Sequence, residues 1–96
     1  MTASMIVRHR VGDYDKWKSV YDGRGVEIRE QGGVIEHSVH RDLDDPQLVT
    51  VVHQFADEQS LRSYLGMLEG EEFRALAEET KIDLDSLEVS LLADVD

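Results

Sequence analysis

The chain has 96 residues and no cysteine, which excludes disulfides, thiolate metal sites, iron–sulfur clusters and a thiol nucleophile. Its 21 Asp and Glu against 10 Lys and Arg give a formal net charge of -11, a field that repels a phosphate backbone or an anionic membrane surface, so neither nucleic acid nor membrane is an expected partner. The length suits one domain, residues 1–96, and 41% hydrophobic with 32% charged residues is the composition of a globular, cytoplasmic protein.

Met5 to Val11 alternates apolar and polar with β-branched side chains, which predicts a strand. Asp13 suits a helix N-cap, and Tyr14, Trp17, Val20 and Tyr21 then recur at helical spacing. Gly23 and Gly25 interrupt that helix, Val26 to Glu30 continues it after a kink, and Gly32-Gly33 ends it. Val34 to Arg41 and Gln47 to Phe55 predict two more strands. The turn-forming run Asp42 to Pro46 makes them an antiparallel hairpin. Asp57 caps a second helix carrying Leu61, Tyr64, Leu65 and Leu68; Glu69-Gly70 breaks it, and Glu71 to Thr80 adds a further helical turn. Asp83 and Asp85 fall in a loop, and Leu87 to Val95 alternates again as a fourth strand. The order β-α-β-β-α-β predicts an α+β, ferredoxin-like fold: a four-stranded antiparallel sheet with helices on one face.

Strand parity separates the two faces of that sheet. Odd positions, among them Val7, Ile35, Val39, Val51, Phe55, Val89 and Leu91, are apolar apart from His9, His37 and His53, so this face packs on the helices. The even face mixes Arg8, Arg10, Glu36 and Ser38 with Ile6, Leu48, Val52 and Leu92, which predicts a two-fold homodimer through it. A hairpin turning about residue 44 sets His37 opposite Val51 and diagonal to His53.

Three imidazoles on an oily face have three readings. They are acid–base groups in a small-molecule pocket, buried histidines satisfied by tyrosine hydroxyls and backbone, or ligands of a divalent metal. No carboxylate shares the odd positions to orient a metal-bound imidazole, so no metal is assigned. Tyr14, Trp17, Tyr21 and Tyr64 turn toward the same surface, and Phe55 ends the third strand. The expected site is therefore a cavity between helices and sheet. His9, His37 and His53 are its candidate catalytic groups, and the aromatic residues are its contacts to a mostly apolar, planar ligand. A non-catalytic, dimeric small-molecule-binding protein would use the same pocket.

The segment Val7-Arg8-His9 through Gly12-Asp13-Tyr14-Asp15-Lys16-Trp17-Lys18 to Tyr21-Asp22 resembles the opening of antibiotic-biosynthesis-monooxygenase-like proteins of the dimeric α+β barrel superfamily. Asp44-Asp45-Pro46, Phe55-Ala56-Asp57 and Glu72-Phe73-Arg74 resemble the same group. The resemblance implies a dimer, a pocket between sheet and helices in each subunit, and a monooxygenase-like or cyclase-like activity on an apolar or aromatic compound without a cofactor. Haem-degrading members carry an asparagine on the first strand, a tryptophan on the third and a haem-ligating histidine on the second helix. This chain has His9 on the first strand and Phe55 at the end of the third, with no histidine on the second helix and no asparagine anywhere. Haem degradation is not expected.

Overall fold

Asp13 and Asp57 start the helical segments as the sequence predicts: each carboxylate accepts a hydrogen bond from the backbone N–H three residues on, Lys16 at 3.1 Å and Ser60 at 2.8 Å. The computed structural model describes residues 1–95. Its elements are β1 (Ala3–Val11), α1 (Tyr14–Asp22), α2 (Arg24–Gln31), β2 (Val34–Arg41), β3 (Leu48–Phe55), α3 (Glu58–Leu68), α4 (Glu71–Thr80) and β4 (Ile82–Ala93). The strands pair antiparallel in the order β2-β3-β1-β4, the ferredoxin-like α+β arrangement. Gly23, between α1 and α2, has φ -95° and ψ -97°, so the first helical stretch is two helices that turn against each other.

Central β1 and β3 alternate most cleanly. Met5, Val7, His9 and Val11 face the helices with Val49, Val51, His53 and Phe55, all buried. One packing group gathers Met5, Val7 and Phe55 under Leu61 and Tyr64 of α3; the other gathers Val11, Val49 and Val51 under Trp17 of α1. Gly32 makes the first group possible, because a Cβ there would lie 2.6 Å from Tyr64 Cδ1. Among the described residues no helix is long and apolar enough to cross a membrane.

The edge strands depart from simple parity. The β2–β3 register slips between Val34 and Glu36, a bulge that turns Val34 inward and leaves Ile35 54% exposed, although the sequence pattern put Ile35 in the core. The hairpin also turns one residue later than expected, with His37 directly opposite His53 and Val39 opposite Val51. Asp42 sets this wider loop: its carboxylate accepts from Asp44 N and Asp45 N, and its own N–H donates to Leu48 O. β4 begins at Ile82, well before Leu87. Val11 and Arg10 pair with Ile82 and Asp83, and Arg10 N donates to Ser86 Oγ across an irregular stretch, so Asp83 and Asp85 lie within the strand. Val89 and Leu91 share the helix side of β4 yet stay 39% and 37% exposed at this edge.

Candidate functional site

Between the helices and the inward face of β1 and β3 lies a cavity of about 110 Å³. His9, His53, Tyr21, Tyr64, Trp17 and Arg29 bring polar or aromatic groups to its wall; the remainder is mainly aliphatic, with Val7, Ile28, Leu68 and Leu76 among the lining. Its size is near that of the ~150 Å³ apolar cavities that admit a single benzene ring.

His9 is buried on β1, 5.6 Å edge-on to the Trp17 ring, and its Nδ1 has no hydrogen-bond partner. His53 is buried on β3. The Tyr21 hydroxyl lies 3.2 Å from His53 Nε2 and 2.9 Å from His37 Nδ1, while His53 Nδ1 is likewise buried without a partner. A phenol has one proton, so Tyr21 donates to one imidazole and accepts from the other. Orphaned buried N–H groups are rarer than orphaned acceptors, which favours a proton on His53 Nε2 and a bare lone pair on Nδ1. Tyr21 then accepts from His53 and donates to His37. His37 itself is exposed on edge strand β2.

Burial sets the protonation of this group. Desolvation pulls the His9 and His53 pKa values down from 6.5 to about 4, with Arg29 adding to the effect at His53. His37 is lowered for the same reasons, desolvation first and the Arg29 charge second. Burial pushes Tyr21 up to about 12 against the opposing pull of Arg29, and it raises Tyr64 as well. All three imidazoles and both phenols are therefore neutral at pH 7.

The cavity does not collect every residue singled out from the sequence. His9, His53, Trp17, Tyr21 and Tyr64 line it; His37 stands outside, bonded to the Tyr21 hydroxyl and edge-on to His53 at 6.4 Å. Tyr14 lies beside Trp17 at 5.9 Å under the Arg41 guanidinium, away from the cavity. Phe55 is fully buried behind His53 and Tyr64 as a packing residue. The residue the sequence pattern missed is Arg29: it is 6% exposed, donates to Tyr21 O at 2.9 Å and lies 3.8 Å over the Tyr21 ring. The available signal was Gly25 one turn earlier, since a Cβ there would meet the guanidinium at 2.9 Å. Among the described residues no three His, Cys, Asp or Glu side chains come together as a metal-ligand set.

The chain is a ferredoxin-like α+β domain with a cavity under its helices lined by aromatic and histidine side chains. The profile of the antibiotic biosynthesis monooxygenase family matches residues 7–79, and the chain belongs to that family. The structure is similar to that of SnoaB, a cofactor-independent oxygenase from Streptomyces nogalater, with a TM-score of 0.74 and 18% identity over 99% of this chain and 94% of that one. It is also similar to Rv0793 from Mycobacterium tuberculosis, with a TM-score of 0.68 and 12% identity over 100% and 97% of the two chains. PA3566 from Pseudomonas aeruginosa gives a TM-score of 0.68 and 15% identity over 99% and 95%. No curated protein matches the sequence.

Proposed function

We propose that the protein is a cofactor-independent oxygenase or cyclase-like enzyme whose chemical step is removal of a proton from an enolisable, mostly apolar compound held in this cavity. The supporting observation is the chain His53–Tyr21–His37, which runs from the cavity wall to an exposed imidazole. A lone buried imidazole with a pKa near 4 is a poor resting place for a proton. The chain avoids that cost. Once the cavity wall yields enough to open the sealed His53 Nδ1 to substrate, carbon gives its proton to that nitrogen, His53 Nε2–H passes one to the Tyr21 oxygen, and the Tyr21 proton moves to His37 Nδ1, where water stabilises the charge. In the oxygenase reading, an activated CH2 carbon then reacts with dioxygen, one oxygen atom staying on carbon as a ketone and the other leaving as water. The substrate supplies all four electrons, so no cofactor is required. At about 110 Å³ the cavity is of the order of one aromatic ring, so the rest of a substituted one-ring substrate would extend beyond it.

The test uses 1-phenylpropan-2-one in D2O, with hydrogen–deuterium exchange at its benzylic carbon followed by NMR. The wild type should exchange it faster than buffer does, and His53→Gln should lose about 100-fold or more of that rate. Exchange no faster than buffer, or a His53→Gln variant as fast as wild type, contradicts the catalytic reading.

Assembly belongs to the same proposal. The sheet face away from the helices carries Ile6, Leu48 and Val52, all partly exposed, and Leu92 at 44% exposure, with no element among the described residues covering them. A second copy packed there forms the homodimer. Val52→Glu would bury an unpaired carboxylate and should shift the mass measured by light scattering from dimer to monomer at micromolar concentration. A wild type that is already monomeric contradicts the assembly.

A further inference from the structure

Arg29 is a buried cation, and among the described residues no carboxylate pairs with it. Among the described residues the ion pairs are Arg10–Asp45, Lys18–Asp22, Arg24–Glu79 and Arg62–Glu58. Arg29 is in none of these. Its compensation within the chain is one backbone carbonyl, Tyr21 O, and the face of the Tyr21 ring. A guanidinium has five N–H donors; one carbonyl takes only part of them, and the rest are left to the open space beside Arg29, which lines the cavity. Buried charges are ordinarily paired, because the hydration they lose must be replaced.

The groups around Arg29 make the missing partner more conspicuous. Its charge acts on Tyr21, Tyr64, His37 and His53, and each is neutral at pH 7. Gly25 leaves the space in which the guanidinium sits, and the cavity that Arg29 lines is otherwise largely aliphatic.

From this we infer that the cavity is built for a monoanionic aromatic ligand, a carboxylate, phenolate or enolate, whose negative group pairs with Arg29 while its ring fills the aliphatic remainder. The inference rests on the pocket reading given above and specifies the charge of what enters it. A single negative charge also agrees with the surface. The net charge of -11 repels a monoanion far less than a polyanion, since the repulsion scales with the charge of the approaching ion and salt screens both over the same distance. The planar fork of Arg29 matches the two oxygens of a carboxylate or the paired oxygens of a hydroxylated enolate.

Benzoate and benzamide, nearly identical in shape and different in charge, provide the test. Binding is followed by NMR on the indole N–H of Trp17, the one tryptophan in the chain and a residue of the cavity wall. The wild type should bind benzoate about tenfold or more tightly than benzamide. Arg29→Gln should bring the two affinities together, and Arg29→Lys should keep part of the preference. The wild-type comparison stands alone if Arg29→Gln does not fold. Equal affinity for the two probes, or a preference that survives in Arg29→Gln, overturns the inference and leaves the pocket reading in place. Binding of neither probe overturns both.

Discussion

Lowering the pH from 7 to about 4.5 should destabilise the folded protein by on the order of 2 kcal/mol for each of His9 and His53. Both imidazoles have folded pKa values near 4 against an ordinary 6.5, through desolvation. Between those limits the unfolded chain binds more protons than the folded one, so stability is complete above the unfolded value and is lost as pH falls toward the folded one. The carboxylates of Asp57, Glu79 and Asp94 are held low chiefly by hydrogen bonds, from Ser60, from Arg24, and from Thr2 with Ser4 respectively. They titrate below the usual carboxylate range, which leaves the window from about pH 6.5 to 4.5 to the histidines. Urea midpoints across that window should fall steeply, and His9→Gln should flatten the fall. A midpoint constant down to pH 5 would mean that water reaches both imidazoles in the folded state.

Tyr21→Phe should slow benzylic exchange by roughly 10- to 100-fold while leaving KM within about twofold. Phenylalanine retains the ring under Arg29 and the stacking on Trp17 at 5.1 Å, so the cavity wall keeps its shape. Only the hydroxyl between His53 and His37 is lost, and on the proposed path a proton taken from substrate would then stay on a buried imidazole. The proposed path makes the three residues one chain, so adding His37→Ala to Tyr21→Phe should cost little more than Tyr21→Phe alone. A Tyr21→Phe variant with wild-type rate would show that His53 passes its proton elsewhere.

The central strands were legible because β1 and β3 each pair on both sides, and burial on one face imposes a strict period of two. That period placed His9 and His53 inward from sequence alone. It failed on the edges. A single bulge at Ile35 shifts β2 by one residue, and the Asp42 turn moves His37 from a diagonal to a direct partner of His53. On an edge strand no second neighbour holds the register or covers the side chains, which is why inward parity left His37, Val89 and Leu91 exposed. The caps at Asp13 and Asp57 were readable because capping is local chemistry. Arg29 was not, since its helix α2 is polar at most positions, and its burial depends on Tyr21 and on the space at Gly25 rather than on any period.

The proton path itself is open to a direct observation that needs no substrate: side-chain 15N NMR of the histidines as a function of pH. The account predicts that His53 at pH 7 is the neutral tautomer protonated on Nε2, with Nδ1 bare, and that it stays neutral until the pH approaches about 4. Protonation on Nδ1 instead, or titration of His53 near the ordinary 6.5, would contradict it.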